Sequence, residues 1–144
     1  MNHPCCENEM EQMDKGVEPF VANVECMAMK NQNFRKEIWT GCHVQMTLMS
    51  IPSGGEIGAE IHPDTDQIIR VEAGMAIVKM GRSRGKMECC RRISKNDTVF
   101  VPAGIWHNII NAGGHVLKVS SIYAPPHHPR GTVSRTKAEA EQEY

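Results

Sequence analysis

Residues 54–74 read GGEIGAEIHPDTDQIIRVEAG and place a carboxylate, an imidazole and a carboxamide close together in an otherwise apolar neighbourhood. Successive side chains of a β-strand point to opposite faces, so Glu60 and His62 share one face. The PDTD segment that follows is typical of a turn, because proline presets φ and aspartate side chains bond nearby backbone groups. Gln67 then begins the returning strand. The stretch predicts two strands that carry three polar side chains into the protein.

A second stretch, residues 96–111, reads NDTVFVPAGIWHNIIN and adds another imidazole. His107 follows the Pro-x-Gly bend on a separate strand, with Ile109 and Asn111 on its face. Three strands can then bring four donor side chains to one point: Glu60, His62, Gln67 and His107. Two interpretations are open. The four groups bind a metal ion, or Glu60, His62 and Gln67 form a hydrogen-bonded polar cluster without a metal, in which the imidazole compensates the buried carboxylate.

Short β-favouring runs separated by turn residues surround both stretches. These runs are FVANVEC, EIWTG, HVQMTLMS, EIGAEIH, QIIRVEAG, MAIVKMG, TVFVP, WHNIIN and HVLKVSSIY. Helical periodicity is nearly absent before residue 130. The pattern predicts an all-β sandwich or barrel over residues 19–125.

The two ends of the chain differ from this region in composition. Residues 1–18 carry five acids and one lysine, which predicts an acidic, flexible tail. Residues 126–144 contain a Pro-rich bend, after which Thr136 and Glu139 have the spacing of a capping box. We therefore expect a short C-terminal helix.

Length and charge narrow the classes of partner. The chain has 144 residues and a formal net charge of -1, which gives no electrostatic footprint for nucleic acid or an anionic membrane. No apolar run approaches the roughly 20 residues of a membrane span. The N-terminus lacks the basic start and apolar segment of a secretory signal. We expect a cytoplasmic protein with its six cysteines as free thiols and a small molecule as its ligand.

The first stretch resembles the first sequence motif of the cupin family. In that motif a Gly is followed by His-x-His, then by Glu and a second Gly. Here the corresponding positions hold Gly54, Glu60, His62, Gln67 and Gly74. The spacing is kept, with Glu in place of the first His and Gln in place of the usual Glu.

The second stretch resembles the second cupin motif. Pro102, Gly104, His107 and Asn111 match it, while Asn96 stands where Gly is usual. The resemblance covers both motifs in the right order. It implies a double-stranded β-helix, which is a small jelly-roll barrel with its ligands pointing into the interior.

The resemblance also implies a divalent metal ion, Zn, Ni, Mn or Fe, bound by Glu60, His62, Gln67 and His107. The usual cupin set of three His and one Glu carries one negative charge, and so does this set, so a bound ion would favour an anionic ligand. Cupins that linearise unsaturated uronate sugars share a Gln at this position, and one phosphomannose isomerase type uses two His, one Gln and one Glu. The resemblance favours an isomerase or lyase acting on a small carbohydrate-like or hydroxy-keto substrate, with Glu60 as ligand or catalytic base.

Two other functions stay open at this point. One is a non-catalytic cupin that binds or senses a small molecule, which the altered first motif favours. The other is a metal-dependent dioxygenase, which Gln67 disfavours. Cupin barrels commonly pair, so we expect a homodimer in which FVANVEC is the candidate exchanged strand.

Several polar and aromatic side chains that are not predicted ligands are harder to place. His127 and His128 fall in the Pro-rich bend, which predicts an exposed loop outside the site. Trp106 faces away from His107 in the alternating scheme and is expected to serve in packing. Tyr123 has the pattern of a half-buried structural aromatic. Periodicity does not tell which polar side chains line the mouth of the site, with His115, Tyr123 and Arg70 as candidates.

Overall fold

A computed structural model describes residues 13–141, so residues 1–12 of the predicted tail lie outside the described part of the chain. The described part contains these elements in chain order: α1 (Val24–Lys30), β1 (Arg35–Thr40), β2 (Gln45–Ile51), β3 (Asp66–Ala73), β4 (Met75–Gly81), β5 (Cys89–Ser94), β6 (Thr98–Val101), β7 (Trp106–Asn111), β8 (Leu117–Ala124), β9 (Val133–Ser134) and α2 (Lys137–Glu141). Within residues 13–141, no helix has the length and apolar character needed to span a membrane.

The strands form two antiparallel sheets. One has the strand order β6-β3-β8-β2-β1-β9 and the other the order β5-β4-β7. Strands that are distant in sequence lie side by side, since β8 is inserted between β2 and β3. This is the winding of a jelly roll and not of a simple meander. The prediction of an all-β jelly-roll barrel with a short C-terminal helix is confirmed.

The main core lies between the two sheets and follows the alternation of each strand. On β3, Ile69 and Val71 are fully buried, while Arg70 between them is exposed. Ala76 on β4 and Ile109 on β7 join the same cluster from the second sheet. Burying an aliphatic side chain of the size of valine or isoleucine contributes about 1.5–3 kcal/mol. The apolar faces therefore stabilise the barrel independently of the polar groups of the motifs.

Helix α1 begins within the FVANVEC run, so the prediction of a strand there was wrong. The side-chain oxygen of Asn23 accepts a hydrogen bond from the backbone N–H of Cys26 at 2.9 Å, which caps the helix. The helix packs against β2, β3 and β8, and Ala28 is buried with Ile38 and Leu48 in a second apolar cluster. The last three residues of the segment expected to exchange between subunits, Val24 to Cys26, thus begin a helix that packs on the barrel.

Two strands have no apolar alternation, and the sequence pattern does not predict them. In β5, which reads CCRRIS, only Ile93 is buried. β9 has two residues. Both lie at sheet edges. An edge strand faces a single neighbour and can remain largely solvated, so it needs little apolar pattern.

The cysteines divide into two kinds. Cys42, Cys89 and Cys90 are free and exposed. Cys26 is disulfide-bonded, so the expectation of free thiols was wrong for this residue. Cys5 and Cys6 lie outside the described residues.

The C-terminal helix α2 has the predicted cap. The hydroxyl oxygen of Thr136 accepts a hydrogen bond from the backbone N–H of Glu139 at 3.2 Å. The Glu139 carboxylate in turn accepts one from the backbone N–H of Arg135 at 2.7 Å. Ala140 is 3% exposed and belongs to the main core, so the helix closes one end of the barrel.

Asn96 explains one departure from the cupin motif. It has a φ of 76°, and within residues 13–141 it is the one non-glycine residue with positive φ. Asparagine tolerates this left-handed conformation better than other side chains do. Its side-chain oxygen also accepts a hydrogen bond from Arg70 Nη2 at 2.8 Å. A Gly in the motif is therefore replaced by the residue type that can hold the same backbone shape.

We expect Asn96→Ala to lower the free energy of unfolding by about 1 kcal/mol, because alanine is strained in the left-handed conformation. Asn96→Gly should stay within about 0.5 kcal/mol of the original protein, since glycine adopts this conformation freely. Urea unfolding measures both, with exposed Arg92→Ala as the control. A glycine variant less stable than the alanine variant would contradict this explanation.

Candidate metal centre

Residues 56–62, predicted as a strand, form an irregular edge beside β7. Bridges join Glu56 to Ile110 and Glu60 to His107. The backbone N–H of Glu60 donates to the carbonyl of His107 at 2.9 Å, and that of His107 donates to the carbonyl of Glu60 at 2.9 Å. Directly opposed residues of an antiparallel pair project their side chains to the same face. This pairing places Glu60 and His107 side by side.

His62 lies two positions after Glu60, on the same face. Its carbonyl accepts a hydrogen bond from the backbone N–H of Gly104 at 2.9 Å, which anchors it to the Pro-x-Gly bend. Its Nε2 is 3.0 Å from Glu60 Oε2, and its ring centroid is 5.2 Å from that of His107.

The donor atoms of Glu60, His62 and His107 all lie within 4.8 Å of one another. Two ligands on opposite sides of one ion, each at about 2.1 Å, are separated by about 4.2 Å. Small side-chain rotations would therefore bring all three donors onto one cation. The structure brings together three of the four predicted ligands in this group.

One ring nitrogen of His107 forms a hydrogen bond, which leaves the other ring nitrogen available to bind an ion. Nδ1 lies 3.0 Å from the carbonyl oxygen of Ile105, and because a carbonyl can only accept, Nδ1 carries the proton. Nε2 is then the nitrogen with the lone pair, and it is buried without a hydrogen-bond partner among the described residues. Burial lowers the pKa of His107, although the Ile105 carbonyl and Glu60 oppose this effect. A neutral imidazole oriented in this way has the form in which imidazoles bind metal ions.

Glu60 is held as a carboxylate. Its burial acts to raise its pKa, but the hydrogen bond from His62 and the charge of Arg35 outweigh burial, so the pKa lies below its ordinary value. Arg35 Nη2 lies 3.5 Å from Glu60 Oε1, while His62 contacts Oε2. The side chain of Glu60 is 24% exposed and is thus accessible to a ligand.

Gln67 points into the barrel on β3, on the same face as Ile69 and Val71, and is 2% exposed. Its Nε2 donates to Ser121 Oγ at 3.4 Å. Its Oε1 is buried and has no hydrogen-bond partner among the described residues. Because the amide nitrogen faces Ser121, the amide oxygen is the atom of this side chain that lacks a partner.

The two interpretations of the polar group can now be compared. A metal-free cluster accounts for the contact between Glu60 and His62. It leaves His107 Nε2 and Gln67 Oε1 buried without partners among the described residues. Buried polar atoms normally have partners, because leaving one unpaired costs about 1–3 kcal/mol. The residues present therefore fit a bound cation.

A cavity of about 600 Å³ opens beside Glu60 and His62. This volume is within the usual range for a small-molecule site. Trp106 also lines the cavity, with Arg84 Cζ 5.8 Å from the centroid of its ring, and its expected packing role stays a prediction. Helix α2 forms part of the wall through Lys137, Ala140 and Glu141.

The prediction that His127 and His128 lie in an exposed loop was wrong. The ring of His127 is 4.2 Å from that of His62, and His128 is 5% exposed. Both backbone N–H groups donate to Gln45 Oε1, at 3.1 and 3.0 Å, and Gln45 Nε2 donates to the His128 carbonyl at 2.8 Å. The buried side chain of Gln45 on β2 therefore holds the bend against the site. The sequence around His127 and His128 could not reveal this contact, because Gln45 is far away in the chain.

The structure also shows where the other candidates for the mouth of the site lie, which are Arg70, His115 and Tyr123. Arg70 is exposed and lies 3.6 Å from Glu72, and His115 is exposed. Tyr123 is 1% exposed, and its ring packs against His62 and His128 with centroids 5.7 and 5.1 Å apart. Sequence reasoning missed Arg35, because it begins a run of three charged residues and nothing in the sequence distinguishes it from Lys36 and Glu37.

Comparisons with known proteins agree with this architecture. The chain is 50% identical over 127 residues to the uncharacterized protein YrkC of Bacillus subtilis (strain 168), covering 88% of this chain and 68% of that relative. It is 38% identical over 115 residues to the uncharacterized protein L612 of Acanthamoeba polyphaga mimivirus, covering 79% of this chain and 70% of that relative.

Among solved structures, BH2720 from Bacillus halodurans is similar with a TM-score of 0.89 and 47% identity, over 90% of this chain and 98% of that one. A family model described as a cupin domain matches residues 47–123, which include both motifs and all four predicted ligands. On the basis of this match and of the jelly-roll barrel around the inward donors, the chain belongs to the cupin family.

Proposed function

We propose that this chain is a divalent-metal-dependent enzyme of the isomerase or lyase type that acts on a small carbohydrate-like or hydroxy-keto substrate. The observation that supports this proposal most directly is the convergence of Glu60, His62 and His107 beside the cavity. A site with buried imidazoles, a carboxylate and space for a small molecule suits metal-assisted chemistry on oxygen-rich compounds.

Gln67 completes the donor set in this proposal, with its amide oxygen as the fourth ligand. Two imidazoles, a carboxylate and a carboxamide suit Zn, Ni, Mn or Fe. Four protein donors leave two positions of an octahedral ion for a substrate. When bound, the ion would supply Lewis-acid polarisation of a hydroxyl or carbonyl oxygen.

Glu60 is the residue that we assign to proton movement. Isomerases and lyases of hydroxy-keto compounds need a base at the carbon beside the carbonyl group. The Glu60 carboxylate is kept ionised by His62 and Arg35 and is accessible from the cavity. An oxygen of Glu60 can accept the proton from that carbon and return it to a neighbouring atom.

The test uses purified protein loaded in turn with Zn, Ni, Mn and Fe(II). Elemental analysis should find about one ion per chain, because residues 13–141 contain one such donor group. The loaded protein is then incubated in D₂O with aldoses, ketoses and uronates. We expect deuterium to replace hydrogen beside the carbonyl of the substrate, as seen by NMR, only when the metal is present.

Other outcomes identify other functions. Stoichiometric ligand binding without deuterium exchange or product would identify a binding or sensing protein. Fe(II)-dependent oxygen consumption would identify a dioxygenase. Failure of the protein to retain any of the four metals would refute the proposal. We also propose a homodimer and a cytoplasmic location, and light scattering of the purified protein tests the first of these.

A further inference from the structure

We infer that the substrate carries a carboxylate group and that Arg35 binds it. This inference rests on the proposed function, because the metal ion and Arg35 would hold two ends of the same small acid. It goes further than the metal site by naming a second anchoring position and the substrate class that this position selects.

Part of the hydrogen-bonding capacity of Arg35 is unused among the described residues. The residue is 3% exposed, yet its guanidinium offers five N–H donors. Among the described residues Glu60 is its one anionic neighbour, at 3.5 Å from Nη2 to Oε1. Charge-assisted hydrogen bonds are typically about 2.7–2.9 Å long, so this contact is a loose one.

The Nε atom of Arg35 is also buried and has no hydrogen-bond partner among the described residues. Arg35 lines the cavity that contains Glu60 and His62. Burying an ionised group with unpaired donors is unfavourable unless a counter-ion completes it. A guanidinium in this position is a fork-shaped site for a carboxylate.

The charges of the cavity favour an anion once a metal is bound. Its charged lining is balanced, with three cationic and three anionic side chains: Arg35, Arg84, Lys137, Glu56, Glu60 and Glu141. A divalent ion would change this balance to an excess of two positive charges. Since Glu60 would then be shared between the ion and Arg35, the guanidinium would need another anionic partner.

The position of Glu60 sets the size of the molecule that can reach both anchors. One carboxylate oxygen of Glu60 faces Arg35 and the other faces His62. An ion held by Glu60 and His62 would thus lie little more than one carboxylate away from the guanidinium. A hydroxy or keto acid fits this separation, with its hydroxyl or carbonyl oxygen on the ion and its carboxylate on Arg35. A neutral sugar would leave the guanidinium unpaired.

The test compares acids with neutral analogues on zinc-loaded protein. The probe pairs are lactate with 1,2-propanediol, and D-glucuronate with D-glucose, because each pair differs only by a carboxylate in place of a hydroxymethyl group. Titration by NMR or calorimetry measures affinity. The variants are Arg35→Met and Arg35→Lys, with exposed Arg91→Met as the matched control.

We expect at least one acid to bind the original protein and Arg91→Met equally, and more tightly than its neutral analogue. Arg35→Met should reduce the preference for the acid by about tenfold or more, the effect of losing a hydrogen-bonded charge pair. Its zinc content should stay unchanged. Arg35→Lys should also lose affinity, because an ammonium cannot form the two-pronged contact. If Arg35→Met does not unfold in a cooperative melting transition, the affinity of Arg35→Lys for the acids decides the test.

An unchanged preference in the Arg35 variants, or binding of neither acid to the original protein, would overturn the inference. The proposed function fails separately, if the original protein does not retain zinc. In that case the acids are titrated into the metal-free protein. Binding that depends on Arg35 would then support the carboxylate position by itself, and binding that ignores Arg35 would overturn it.

Discussion

Replacing His107 with alanine is expected to abolish metal retention and to leave the barrel folded. Loss of a residue that only supports a ligand typically costs about 10–100-fold in metal affinity, so loss of the ligand itself should cost at least about 100-fold. His62→Ala should behave in the same way. Both variants should still unfold cooperatively, because the stability of the barrel comes from its apolar faces.

Elemental analysis after dialysis measures retention, and thermal unfolding measures the fold. Exposed His115→Ala is the matched control, since it removes one imidazole away from the site. Gln67→Ala should weaken metal binding less, because an amide oxygen is a weaker donor than an imidazole. If either His107→Ala or His62→Ala keeps the full metal content of the original protein, the proposed set of metal ligands is wrong.

The second large effect expected is a loss of stability at mildly acidic pH that depends on His128. Burial lowers the pKa of His128 to about 2, and the positive charge of Arg35 adds to this effect. The imidazole of an unfolded chain has a pKa of about 6.5. Between these two values the unfolded state binds a proton and the folded state does not. The free energy of unfolding therefore falls as the pH falls through this window.

The expected loss in the free energy of unfolding follows from the number of pH units between the two measurements. Each pH unit inside the window costs up to about 1.4 kcal/mol, so His128 alone should remove about 2 kcal/mol between pH 7 and pH 5. Urea unfolding of the metal-free protein at several pH values measures it. His128→Gln should have a shallower dependence than the original protein by this amount. His115→Gln, at an exposed position, should keep the original slope.

A His128→Gln variant with an unchanged pH dependence would show that the imidazole is not buried in its neutral form. The comparison uses slopes and not absolute stability, because the substitution also removes the ring that packs on Tyr123. His107 and His127 also have lowered pKa values, chiefly from burial, and they remain in every variant.

The fold could be predicted because both motifs and most strands carry their signals locally. Alternation identified the buried face of β3, where Ile69 and Val71 are in the core. The exceptions have physical reasons. Helix α1 arises because Asn23 caps it and because the outer face of the six-stranded sheet offers an apolar partner. Local strand preference did not include either effect.

The candidate site could be predicted in part. Glu60 and His62 were placed together by their spacing, and His107 was added by the second motif. Their separation in space, within 4.8 Å, comes from the backbone pairing of Glu60 with His107. Gln67 is buried and inward as expected, and its role as a ligand stays a prediction.

The sequence alone determined which side chains could face the interior, because the two-residue repeat of a strand is a property of the backbone and needs no distant contact. Only the tertiary structure decided what surrounds those side chains. Arg35 and the bend that carries His127 and His128 reach the site through the pairing of β1 with β2 and the hydrogen bonds of Gln45. Such contacts join segments that are far apart in the chain, and they depend on how whole sheets pack.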